Sequence, residues 1–64
     1  DSIYNRACLA ALCGEVDEAL TLLRSALEKQ EVSLDWARKD PDFDWIRDNP
    51  RFEQLLNEMA TQQG

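Results

Sequence analysis

The sequence predicts an all-α fold, an antiparallel helical hairpin followed by a short helix and a C-terminal capping helix. Three observations predict it. Residues 2–13 and 17–30 both carry apolar side chains at spacings of three and four. Gly14 is the only glycine between them. Each of the two prolines follows a residue suited to helix capping, in Asp40-Pro41 and Asn49-Pro50.

The first segment, SIYNRACLAALC, is rich in Ala, Leu and Cys and has no Gly or Pro. Ile3, Ala7, Ala10, Ala11 and Leu12 give it one apolar face. Gly14 stops it, because a residue without a Cβ adopts the left-handed cap conformation at little cost. In the second segment, DEALTLLRSALEKQ, Asp17 and Glu18 suit the positive end of the helix dipole. Leu20, Leu23 and Leu27 form its stripe with Ala19 and Ala26 beside them, while Arg24, Glu28 and Lys29 take the outer side. The short connection makes the two helices antiparallel neighbours. Ser33 caps a third helix over Leu34 to Lys39. Asp40-Pro41 ends it and starts a brief helical turn through Ile46. Asn49-Pro50 starts a last helix to Ala60, with Phe52, Leu55, Leu56 and Met59 as its buried stripe. The polar tail TQQG is expected to fray. Residues 1–31 and 32–64 are thus two halves of one small domain.

Composition limits the function. Sixty-four residues bury one thin core and leave little room for a substrate pocket of several hundred Å³. A net charge of −6 argues against nucleic acid and anionic membrane surfaces. It keeps a domain soluble, and it would favour a basic partner segment. No apolar run is long enough to span a bilayer. Cys8 and Cys13 are five residues apart, about 500° around a helix, so they point to different faces and cannot bridge. With no histidine and only two cysteines, a zinc site lacks ligands and a thiolate lacks a base. Free thiols point to a reducing compartment, the cytoplasm. The chain begins at Asp1 and not at a Met, as a segment of a longer protein would.

The stretch DPDFDWIRDNPRF, residues 40–52, admits three readings. Asp40, Asp42 and Asp44 alternate like the start of a calcium loop, but Trp45 stands where the turn glycine belongs and Arg51 where the bidentate glutamate belongs. Paired carboxylates for acid–base work need a cleft, which so small a chain does not offer. Packing accounts for more of the residues. Asp40 and Asn49 are caps, and Phe43, Trp45, Ile46 and Phe52 form a lid, with Trp45 the least certain of burial. Arg47 and Arg51 are expected to pair with Asp42, Asp44 or Asp48.

The stretch SIYNRACLAALCGEVDEALTLLRSALE resembles a single tetratricopeptide repeat (TPR). Gly14 falls at that family's turn glycine, Ala7, Ala19 and Ala26 at its small crossing positions, and Ile3 and Leu23 at large apolar ones. Arg6, Ala10 and Glu31 depart from the pattern, which has a large apolar residue, often a tyrosine, and often a proline there. The segment DWARKDPDFDWIRDNPRFEQLL resembles a tail that follows the last repeat in many bacterial TPR proteins. The resemblance implies a non-enzymatic scaffold that binds a protein or peptide partner, with no cofactor or metal. It places the partner-binding concave face at Asp1, Tyr4, Asn5, Cys8, Ala11 and Leu12. That set lacks the basic residues of the TPR groove that clamps a chaperone's C-terminal carboxylate, so that specialised role is not expected. The alternative is a purely structural cap that ends a repeat array. Without an upstream repeat, the face around Ile3, Leu9 and Ala10 is uncovered, and weak self-association is expected.

Overall fold

A computed structural model describes residues 2–63. Four α-helices and one 3-10 helix follow in order: α1 (Ile3–Leu12), α2 (Val16–Glu28), α3 (Leu34–Lys39), the 3-10 helix (Pro41–Ile46) and α4 (Pro50–Gln63). No strand occurs among the described residues. α1 packs on α2 and on the 3-10 helix, and α4 packs on α2 and α3. The predicted hairpin is thus followed by a C-terminal half that folds back over it.

The crossing of α1 and α2 is built from small residues. Ala7, Ala11 and Ala19 are fully buried, and side chains of that size let two helices approach closely. Leu20, Leu23 and Leu27 extend the core toward α4, which contributes Phe52, Leu55, Leu56 and Met59. Phe43 joins the two halves: its ring lies 6.0 Å from Tyr4 and 5.8 Å from Phe52.

The caps show why the elements start where they do. Ser2 Oγ accepts from Asn5 N–H at 3.0 Å, and Ser33 Oγ from Trp36 N–H at 3.1 Å. Asp40 Oδ1 accepts from Asp42 N–H and Asn49 Oδ1 from Arg51 N–H, both at 2.9 Å. Glu31, a departure from the repeat pattern in the sequence, has a structural role. Its carboxylate accepts from Tyr4 N–H at 3.1 Å, so it satisfies an open donor in the first turn of α1 from across the hairpin.

Both hairpin helices end in the same way. Glu15 N–H reaches Ala10 C=O and Gly14 N–H reaches Ala11 C=O; Glu31 N–H reaches Ala26 C=O and Gln30 N–H reaches Leu27 C=O. These are paired Schellman closures, each with a left-handed residue, Gly14 at φ 83° and Gln30 at φ 62°. Gln30 therefore lies outside α2, contrary to the expected helix over 17–30, and its Cβ is strained in that region. Gln30→Gly is expected to stabilise the domain by about 0.5–1 kcal/mol, and Gly14→Ala to cost about 1 kcal/mol. Urea denaturation of the two variants checks both signs.

Three further expectations are corrected. Leu12 is not part of the buried face of α1; it is 59% exposed, because its side chain lies on the arc of the helix turned away from α2 and the 3-10 helix. The C-terminal helix does not stop at Ala60 but runs to Gln63, with Thr61 Oγ1 donating back to Asn57 C=O at 3.1 Å. Arg51 does not pair with its neighbouring aspartates; it reaches Asp17 on α2, and Arg24 of α2 reaches Glu58 of α4 at 3.2 Å. These exposed pairs tie α4 to the hairpin for about 0–1 kcal/mol each. Arg47 does pair with Asp44. In the lid, Phe43, Ile46 and Phe52 are buried, whereas Trp45 is 52% exposed.

Candidate functional site

α1 has two faces with different fates. Successive residues rotate by about 100°, so positions 4, 8 and 11 share one face and positions 5, 9 and 12 the other. The first face is closed by the chain itself. Cys8 and Ala11 are buried and Tyr4 is half-buried, with Tyr4 against Phe43 of the 3-10 helix and Cys8 beside Asp40. The second face is open: Asn5 is exposed, Leu9 is 62% exposed and Leu12 59%.

Asp40 seals the closed face. It is the one buried charged residue among the described residues. Its Oδ2 accepts a hydrogen bond from the Tyr4 hydroxyl, and the Cys8 thiol lies 3.9 Å away. Its Oδ1 caps the 3-10 helix through Asp42 N–H. Its carbonyl accepts from Arg47 Nη2 at 2.9 Å and from Phe43 N–H at 3.1 Å. A buried carboxylate is tolerated only with such partners. The sequence marks Asp40 as a helix cap and as the first acid of a calcium-like alternation; its reach to α1 crosses 36 residues of sequence and leaves no local signal.

Both partners on α1 are held neutral. Burial, then the hydrogen bond to Asp40, pushes the Tyr4 hydroxyl far above its ordinary value of 10.0. Burial, then the Asp40 charge, pushes the Cys8 thiol from 9.0 up to about 11. At neutral pH that rise leaves roughly 100-fold less thiolate. Cys13, exposed at the end of α1, is therefore expected to react with an alkylating probe well before Cys8 in the folded protein, and the two at similar rates in urea. Mass spectrometry of the labelled peptides reads the ratio. The same shift sets a pH dependence. The unfolded thiol releases its proton at lower pH than the folded one, so stability is whole below about 9 and declines as pH rises toward 11. Cys8→Ala removes that part of the slope.

The fold also gathers Cys8, Asp40 and Asp42, with ligand atoms within 4.8 Å of one another. Neither the calcium nor the zinc reading of the sequence placed these three together. The Asp40 oxygens already accept hydrogen bonds from Tyr4 and Asp42, and the Cys8 thiol faces the same carboxylate. The cluster is accounted for as a hydrogen-bonded clasp.

The open face continues into a shallow groove between α1 and α2. Leu9, Ala10, Cys13 and Leu22 line it, and Arg6, Glu15 and Glu18 stand around it. Of the six positions that the resemblance assigned to partner binding, Asn5 and Leu12 lie on the open face, Tyr4, Cys8 and Ala11 on the closed one, and Asp1 lies outside the described residues. No helix among the described residues is long and apolar enough to cross a membrane. Compared with protein-family models, curated proteins and solved structures, the chain gives no match.

Proposed function

We propose that this chain is a non-enzymatic protein–protein interaction module, a TPR-type helical scaffold that docks a partner protein or peptide on the open face of α1. The observation that carries the reading is the stripe Asn5, Leu9 and Leu12. These residues are one turn apart along α1, and the two leucines are more than half exposed while the adjoining face of the same helix, at Tyr4, Cys8 and Ala11, is sealed. Paired large apolar side chains flanked by polar ones suit the apolar face of a partner helix. The reading requires no cofactor. The acidic surface disfavours nucleic acid and anionic lipid, and two free thiols fit the cytoplasm.

Binding of labelled amphipathic helical peptides, followed by fluorescence anisotropy, tests it. The expected result is saturable binding that Leu9→Glu and Leu12→Glu each weaken by roughly tenfold or more, while folding is unchanged by circular dichroism. Equal binding by the wild type and both variants would refute a docking role for the stripe.

One observation favours the alternative, a structural cap that ends a repeat array. Tyr4, Cys8 and Ala11 are spent on the chain's own closure, which leaves little concave groove. In that case Leu9 and Leu12 meet the preceding helix of the array, and no separate peptide binds.

A further inference from the structure

We infer that the open face of α1 docks a second copy of this chain, with the two α1 helices antiparallel about a two-fold axis. The inference rests on the reading of that face as a docking surface, and names its occupant. The face carries a protruding leucine, an adjoining groove and charges of both signs. Leu9 stands out from α1 beside a groove lined by Ala10, Cys13 and Leu22. Charges of both signs stand around that groove, with Arg6 toward the start of α1 and Glu15 and Glu18 beyond its end.

Arg6 lies four residues before Ala10 and Glu15 five after it. An axis that runs between the two α1 helices at the level of Leu9 and Ala10 therefore sets Arg6 of each copy opposite the Glu15 and Glu18 corner of the other. In such an isologous contact every attraction occurs twice. The apolar centre, Leu9 beside Leu9 with Leu12 at the flank, takes both copies' most exposed leucines out of water.

Charge exchange tests the inference with the full chain. Arg6→Glu and the pair Glu15→Arg/Glu18→Arg each put like charges in contact within their own homodimers. In a mixed dimer of the two variants every contact is complementary again. Sedimentation equilibrium is expected to show a reversible wild-type dimer, each charge variant weakened by roughly tenfold or more, and an equimolar mixture restored to near the wild-type constant. Leu9→Glu, at an exposed site that the fold does not need, is expected to be monomeric. A wild-type chain that stays monomeric at millimolar concentration overturns the inference, as does a dimer indifferent to Leu9→Glu or a mixture no stronger than its components. A monomer that still binds helical peptides through Leu9 and Leu12 removes the second copy alone; one that binds none removes the docking face as well.

Discussion

Phe43→Ala is expected to unfold the domain. Phe43 is fully buried and lies between Tyr4 of α1 and Phe52 of α4, so its ring is one of the contacts through which the C-terminal half grips the hairpin. Removing a buried phenylalanine costs about 3–5 kcal/mol. A domain of this size has roughly 3–5 kcal/mol in total. The loss and the reserve are equal in size, so the variant is left largely unfolded at room temperature. Phe43→Leu keeps most of the volume and is expected to cost about 1–1.5 kcal/mol and remain folded. Far-UV circular dichroism is the appropriate probe, because Trp36 and Trp45 are both more than half exposed and report little of the core.

Asp40→Ala is expected to cost roughly 2–4 kcal/mol. About 1 kcal/mol comes from the lost cap on the 3-10 helix. The rest comes from the Tyr4 hydroxyl, which is left without its acceptor. Tyr4→Phe alone removes one hydrogen bond to a buried carboxylate and leaves Asp40 with its cap, at a cost of about 1.5–3 kcal/mol. The two changes meet at one contact, so their costs do not add. The double variant is expected to be more stable than the sum of the singles predicts by about 1 kcal/mol. Additive losses in urea denaturation would show that the Tyr4–Asp40 contact contributes nothing to closing α1.

These two residues mark how far the sequence could be read. The stripes Leu20, Leu23 and Leu27, and Phe52, Leu55, Leu56 and Met59, are periodic, and the helices they define are in place. Ser33, Asp40 and Asn49 announce helix starts because a cap acts within three residues. What is missing from that reading is long-range. Glu31 serves Tyr4 across 27 residues, Arg51 serves Asp17 across 34, and Asp40 serves Tyr4 across 36. Such choices are made by the packing of whole helices and leave no local trace. Gln30 was missed for a related reason: a helix stop without glycine is held by its two Schellman bonds, and its composition reads as continued helix.

The candidate site divides along the same line. Asn5 and Leu12 were placed through the repeat resemblance and Leu9 through the uncovered first helix, and all three are exposed. The resemblance puts Tyr4, Cys8 and Ala11 on the binding face as well, but the chain covers all three itself, Tyr4 and Cys8 with the Asp40 segment and Ala11 within the α1–α2 crossing. Periodicity groups residues by face. It does not say which face the chain will cover itself.

The division of α1 into a sealed face and a docking face is tested most directly by proton–nitrogen NMR of the chain as its own concentration is raised and as helical peptides are added. The account predicts that the amide signals of Asn5, Leu9, Leu12 and Cys13 move together, while those of Tyr4, Cys8 and Asp40 stay in place. Shifts centred on Tyr4, Cys8 and Ala11, with loss of the Asp40 contact, would contradict it, and would mean that the partner enters from the side the chain closes.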